Sequence, residues 1–170
     1  FLAGQAGPGV TNTVTAMANA KAAFSPVVSL AGAISSDHKG KDAFQEVDQV
    51  SMMQAVSKKV FEVQQINEIP EVLSDAFSTA MSPRTGPVHV DLPRDVLGKN
   101  AEFTKPNKYQ TSPLPNALDT SLKQAFELLR DATKPVILAG GGIKNNGDEA
   151  TKHLLALAEI VNAPCATSPG

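Results

Sequence analysis

A single cysteine, Cys165, is all that these 170 residues contain, so no intrachain disulfide framework can form. The chain therefore reads as one of a reducing compartment, most simply the cytosol. Pro164 and Ala166 on either side of the thiol predict a buried strand and an inert core cysteine. An excess of one charge is missing too, because the formal net charge is −2. Both signs are spread along the chain, with no basic stripe for nucleic acid and no acidic tail for a disordered tether. No apolar run approaches a membrane span, which predicts a soluble protein without a membrane partner. There is no initiator Met before Phe1 and no basic, apolar leader. The close at Thr167-Ser168-Pro169-Gly170 reads as a strand entering a loop, so both ends read as cut.

Several catalytic signatures are absent as well. No Gly-x-Ser-x-Gly occurs and no Ser-His-Asp set is assignable. His38, His89 and His153 are scattered, none at metal-ligand spacing with another His or with Cys165. The glycines of the first turn fit neither the dinucleotide fingerprint nor a Walker loop.

What is present is a regular alternation. Phe1-Leu2-Ala3 predicts the end of a buried strand, and Val10 to Phe24 a helix with Val10, Val14, Met17 and Ala18 on one face. Pro26 to Ala31 predicts a strand buried on both faces. Asp42 is expected to cap a helix over roughly Phe44 to Gln54. Val60 to Val63 predicts a strand, and Asn67 is expected to cap a helix with Ile69, Val72, Leu73, Ala76, Phe77 and Ala80 as its core stripe. Val88-His89-Val90-Asp91-Leu92 alternates like a strand, with His89 on the face opposite the valines. Strands and helices in this order imply an α/β fold, a parallel sheet with crossover helices.

From Pro93 to about Asn116 the pattern dissolves into a proline-rich linker. Asp119 then caps a helix carrying Leu122, Ala125, Phe126 and Leu129. Pro135 to Ala139 predicts a buried strand, Ala150 to Val161 a helix, and Pro164 to Thr167 a further strand. The expected organisation is a domain over 1–93, a linker over 94–116, and the first part of a second, Rossmann-like α/β domain over 117–170.

Three clusters carry functional groups. Gly7-Pro8-Gly9-Val10-Thr11-Asn12 joins a strand end to a helix start. There, backbone N–H groups can receive an anion or the edge of a heteroaromatic ring, although a tight turn with Pro8 pre-set for helix entry explains it equally. In Asp42-Ala43-Phe44-Gln45-Glu46-Val47-Asp48, Gln45 can both donate to and accept from a ligand. Glu46 or Asp48 has the chemistry of a base or a metal ligand, whereas acids in a first helical turn also favour the macrodipole and Phe44 alone suits a core. Gly140-Gly141-Gly142 leaves room for a cofactor, or simply makes a βα turn. Lys58-Lys59 alone reads as a solvated charge pair.

The order of these motifs is more specific than any one of them. Gly7 to Asn12, Ser25-Pro26-Val27-Val28, Gly40 to Asp48, Ser57-Lys58, and Gly86-Pro87-Val88-His89-Val90-Asp91-Leu92-Pro93-Arg94-Asp95-Val96 together resemble the pyrimidine-binding domain of thiamine-diphosphate-dependent enzymes of the acetolactate synthase type. Lys134 to Ile143 looks like the opening strand of that family's central domain. The resemblance implies a lyase or carboligase that decarboxylates a 2-keto acid such as pyruvate and passes the two-carbon unit to a second carbonyl, in branched-chain amino acid biosynthesis. It implies thiamine diphosphate as cofactor, Mg²⁺ and, in some members, FAD, in a homodimer or homotetramer. By the same resemblance Pro8, Gly9, Asn12, Phe44 and Gln45 line the thiamine diphosphate, Gln45 with a catalytic role. Lys58 matches a lysine near the substrate entrance, and Gly140, Gly141 and Gly142 a turn near FAD. The catalytic glutamate is expected before Phe1 and the Mg²⁺ motif beyond this chain, so no metal ligand falls within it. An exposed apolar patch around Phe44 would mark a dimer face.

Departures from acetolactate synthase are Gln5-Ala6 in place of a small hydroxyl pair, Lys59 in place of histidine, and the turn Ser82-Pro83-Arg84-Thr85-Gly86. Glyoxylate carboligase, sulfoacetaldehyde acetyltransferase and oxalyl-CoA decarboxylase share much of the pattern. A non-catalytic α/β interaction module is the alternative from another class.

Overall fold

The computed structural model describes residues 1–103 and 117–168. The chain divides into two compact units, Phe1–Leu114 and Pro115–Gly170. The first holds strands β1 (Leu2–Gly4), β2 (Val28–Ala33), β3 (Lys59–Glu62) and β4 (Val88–Pro93). Its helices are α1 (Pro8–Thr11), α2 (Val14–Ala22), α3 (Gln49–Val56), α4 (Ile69–Met81) and α5 (Arg94–Leu97). The sheet order is β1-β2-β4-β3 with every pair parallel, as the alternation predicts.

Each parallel pairing requires a crossover, and the crossover helices cover both faces of the sheet. On one face Val28, Val88 and Val90 pack with Ala76 and Ala80 of α4, joined by Leu30, Phe61 and Leu92. On the other, Val10, Met17, Ala31 and Met53 form a second core, bordered by Val14, Val56 and Val60. β4 lies between β2 and β3 with helices packed on both faces of the sheet, and His89 and Asp91 are buried like its valines.

Several element boundaries differ from expectation, each for a local reason. The helix expected from Val10 divides into α1 and α2, because the Thr13 hydroxyl donates to the Val10 carbonyl at the join; Ala18 lies on the exposed side. α3 begins at Gln49, not near Phe44, and its cap is Asp48, whose carboxylate accepts from the Ser51 N–H at 3.1 Å. Asp42 and Gln45 instead adopt left-handed backbone at φ 52° and 65°, which a helix excludes. Asn67 sits inside a short 3₁₀ turn, Ile66–Glu68, which the Gln65–Glu68 pair closes as a capping box immediately before α4. The expected linker begins with structure, since Arg94–Leu97 is helical and Val96 is fully buried. Its residues 104–116 lie outside the described residues.

The second unit contains α6 (Asp119–Asp131), β5 (Ile137–Ala139), α7 (Gly141–Asn145), α8 (Gly147–Ile160) and β6 (Cys165–Thr167). β5 and β6 pair in parallel. Asp119 is the first helical residue of α6 and Leu118 occupies the cap position. The strands expected to be buried are not: Leu138 is 74% exposed, and Cys165 is exposed as well. Among the described residues of this unit only Ala139 is buried, because a two-stranded sheet leaves its side chains without cover.

Candidate functional site

In an open parallel α/β sheet, ligands bind beyond the carboxyl ends of the strands, where the connecting loops diverge. In the first unit those ends are Gly4, Ala33, Glu62 and Pro93. Two clefts open there, sharing Ala33 and Ile34. The larger has a volume of about 780 Å³. Its walls include Gln5, Ala6, Phe44 and Gln45, with Leu92 and Leu97 as apolar floor. Lys41 and Arg94 give it a cationic rim, with His38 beside them. The smaller, about 250 Å³, is lined by Glu46, Asp48, Glu62 and Asp91 against the single cation Lys39. Opposite charge preferences therefore meet across one loop.

That loop, Gly40 to Asp48, holds its shape through Glu46. Its carboxylate accepts from the Gly40 N–H and, at 2.9 Å, from the Ala43 N–H, which closes the chain on itself and leaves Phe44 and Gln45 at the tip. The backbone N–H of Gly40, and next that of Ala43, hold the Glu46 carboxyl below the usual carboxylate range. Phe44 is 88% exposed, and the Gln45 side-chain amide makes no hydrogen bond among the described residues. Lys39, its ammonium held above the ordinary range chiefly by its hydrogen bond to Glu62, ties the start of the loop to β3 across 2.7 Å.

The Gly7 turn meets this loop directly. Gly7 has φ 62°, and a Cβ there would overlap the carbonyl oxygen of Gln45, so only glycine fits between the two segments. The Gly7 carbonyl accepts from the N–H groups of Val10 and Thr11 and starts α1. Its N–H donates to Gln49 Oε1 at 2.7 Å. Gln49 Nε2 in turn donates to Asp91 Oδ1 at 2.6 Å and to the Gly32 carbonyl at 3.3 Å. Asp91 Oδ1 also lies 2.8 Å from His89 Nε2, and His89 Nδ1 lies 3.1 Å from Ser29 Oγ. Ser29, His89, Asp91 and Gln49 are all buried.

The structure thus brings Phe44 and Gln45 together with the Gly7 turn. Pro8 and Asn12 are on the same turn but exposed and outside the walls of the larger cleft. Gly9 is half-buried, where it packs against β1: a Cβ would come within 3.0 Å of Gln5 Cβ and 3.5 Å of the Gly4 backbone. Lys58 is not brought to either cleft. Its ammonium donates to the Thr79 carbonyl at 2.7 Å, the Ser82 carbonyl at 3.0 Å and the Ser82 hydroxyl at 2.7 Å, closing the C-terminus of α4. Burial pushes its pKa down. Gly140, Gly141 and Gly142 have open space where a Cβ would sit.

Sequence patterning missed Gln49, His89 and Asp91 as site-building residues, and Gln5, His38 and Arg94 as lining. A polar pair at alternate positions of a central parallel strand was the available signal, because such a strand buries both faces and each polar group then requires a partner.

The fold and this loop pairing define a class. Residues 1–52 match the N-terminal TPP-binding domain of thiamine pyrophosphate enzymes, and residues 122–170 match the central domain of the same enzymes. The chain belongs to the thiamine pyrophosphate enzyme family and is acetolactate synthase-like within it. It is 38% identical to a probable acetolactate synthase large subunit from Methanococcus aeolicus, over 97% of this chain and 28% of that protein. It is 39% identical to an acetolactate synthase from Mycobacterium leprae, over 93% of this chain and 25% of that protein. It is 36% identical to the acetolactate synthase isozyme 1 large subunit of Escherichia coli, over 93% of this chain and 28% of that protein. The chain therefore spans about a quarter of the length of these relatives.

The donor set fits the pyrimidine end of thiamine diphosphate. Phe44 offers an exposed aromatic face, Gln45 a free amide, and Ala6 and Ala33 small side chains that, with the bare Gly32 backbone, let a planar ring approach. Among the described residues no group of three or more His, Cys, Asp and Glu is arranged to hold a metal ion. No helix among them is long and apolar enough to cross a membrane.

Proposed function

We propose that this chain forms the pyrimidine side of the active site of a thiamine-diphosphate-dependent carboligase that decarboxylates pyruvate, or a closely related 2-keto acid, and transfers the two-carbon unit to a second carbonyl. The observation that carries this reading is the convergence of the Gly7 turn with the Phe44-Gln45 tip at the carboxyl end of the sheet. Bound there, thiamine diphosphate supplies the electron sink that decarboxylation of a 2-keto acid requires. Phe44 packs on the bound ring and excludes water from its reacting side. Gln45 donates from its amide to the oxygen that gains negative charge, a role matching its unpartnered side chain. Lys41 and Arg94 attract the substrate carboxylate to the mouth of the cleft.

The domain limits proposed for this function are 1–93 for the pyrimidine-binding domain, 94–116 for the linker and 117–170 for the central domain. Mg²⁺, held outside this chain, completes cofactor binding. The exposure of Phe44 supports a homodimer or homotetramer in which this tip faces another subunit. FAD beside Gly140, Gly141 and Gly142 is supported by the open space there. Pro8, Gly9 and Asn12 contribute through the turn they form with Gly7. A cytoplasmic enzyme of branched-chain amino acid biosynthesis fits the composition and the relatives.

The test is pyruvate consumption by the full-length enzyme with thiamine diphosphate and Mg²⁺. Turnover that falls about 100-fold or more in Q45L with cofactor binding retained supports the role of Gln45. Failure to turn over any 2-keto acid in a cofactor-dependent manner overturns the reading. A yellow purified enzyme supports FAD, and a colourless one rejects it.

A further inference from the structure

Gln49 is the residue on which three strand ends converge. From the first turn of α3 its side chain reaches the Gly7 N–H after β1, the Gly32 carbonyl in β2 and the Asp91 carboxylate in β4. Every hydrogen-bonding direction of the amide that these contacts use is set by its neighbours. Asp91 accepts only, so the NH₂ end must face it, and the Gly7 N–H donates only, so the carbonyl end must face the turn. Asp91 is in turn held by His89, and His89 by Ser29, in a chain of buried side chains.

We propose that Gln49 is a positioning residue for thiamine diphosphate, tying the Gly7 turn, against which the Gln45 backbone packs, to the buried Asp91-His89-Ser29 chain. The inference rests on the functional reading above. Gly7 has no freedom to adjust by itself: its N–H is bound by Gln49, its carbonyl caps α1, and its Cα lies against the Gln45 backbone. Removing the amide at position 49 leaves the Gly7 N–H and the Asp91 carboxylate buried without this partner, which favours a shifted turn that water can reach. A shift of the turn carries the adjoining Gln45 carbonyl with it and so misplaces the amide that faces the cleft.

Two variants of the full-length enzyme separate positioning from space-filling. Q49M fills the same volume and breaks the chain at every pH. Q49E still accepts from Gly7 but sets a second carboxylate against Asp91. Such a buried pair repels when fully ionised and regains its hydrogen bond on sharing one proton. The charged groups bordering this position are Lys39, Glu46, Asp48, Glu62 and Asp91 along the smaller cleft, with His89 behind Asp91. The expected result is a half-saturating thiamine diphosphate concentration raised about 10-fold in Q49M at all pH values. In Q49E it rises about 10-fold at pH 8 and returns to within about 3-fold of wild type near pH 6. Hydrogen exchange of the Gly7 amide, read without cofactor, is expected to lose protection in Q49M.

Unchanged Gly7 protection in Q49M overturns the proposal. So does lost protection with unaltered cofactor half-saturation, or a Q49E profile that tracks wild type across the pH range. A wild-type enzyme that takes up no thiamine diphosphate overturns the functional reading instead, and the Gly7 exchange still reports on the amide chain independently.

Discussion

The two units are built from the same parts, parallel strands joined by helices, yet they bury them very differently. In the first, helices cover both faces of four strands, and Val10, Met17, Met53, Val88 and Val90 are all wholly inaccessible. In the second, α6 carries a strong apolar stripe, but Phe126 is 65% and Leu128 76% exposed, and Ile160 of α8 is 81% exposed. Amphipathic patterning specifies which side of an element seeks cover. It does not supply the cover, and a two-stranded sheet provides little.

The largest expected effect follows from that contrast. Residues 1–103 expressed alone should melt cooperatively, whereas 115–170 alone should show no sigmoidal transition by circular dichroism and should bind a hydrophobic dye. A sharp melt of the second piece would break the comparison.

Glycines give the next test. Gly7→Ala meets both a left-handed backbone and the Gln45 carbonyl, so urea unfolding should show a loss of about 2–4 kcal/mol. Gly141→Ala sits in α7 with nothing near its Cβ and should be neutral, or stabilising by up to about 1 kcal/mol. Equal effects at the two positions would remove the distinction between a crowded turn and an open one.

How legible this was in the sequence depends on the range of the contacts involved. The strands and helices around Val28, Val72 and Val90 follow from apolar runs and helical spacing, which are local. The start of α3 does not. Asp42 reads as a cap, yet the helix is capped by Asp48, because Glu46 takes the Ala43 N–H that would open a helix begun at Asp42, and Asp42 and Gln45 turn left-handed. The site was half legible. Phe44 and Gln45 are recognisable as a motif, but the Gln49 chain depends on partners 42 residues away at both Gly7 and Asp91, and no short window contains them. His89 reads correctly as lying opposite the valines, yet in a central parallel strand that opposite face is also core. Cys165 reads as buried from its neighbours and is exposed, because burial there depends on cover that the flanking residues do not encode.

A smaller effect is expected at Lys58. K58M removes three hydrogen bonds at the end of α4 and should lower stability by about 0.5–1 kcal/mol, discounted for the exposure of the ammonium. In the full-length enzyme, an unchanged KM for the 2-keto acid would assign Lys58 to the helix end, and a raised KM with unchanged stability would return it to the substrate entrance.

The smallest effect is the acid response. Glu46, Asp48 and Asp95 are each held below the ordinary carboxylate range, by hydrogen bonds from Gly40, Ser51 and Ser36 respectively. A depressed folded-state pKa means that the unfolded chain takes up the proton first on acidification. The stabilisation is therefore complete above the unfolded values and declines below about pH 5, as pH falls towards the folded ones. Melting temperatures of residues 1–103 should fall over that window, and E46Q should flatten the fall. A slope unaffected by E46Q would mean that the loop is not held by its carboxylate.

The parallel sheet has a kinetic consequence. Ser29 and His89, which face each other across β2 and β4, are 60 residues apart in the chain. No hairpin can seed this sheet, because every pairing waits for a crossover to be completed, and loop-closure entropy is spent before any ladder forms. Gly7 can meet Gln49 only after β1 has joined β2 and α3 has settled on the sheet. Refolding should therefore be slow for a domain of this size, with the cleft among the last features to assemble and newly made chains exposed to misassembly until it does.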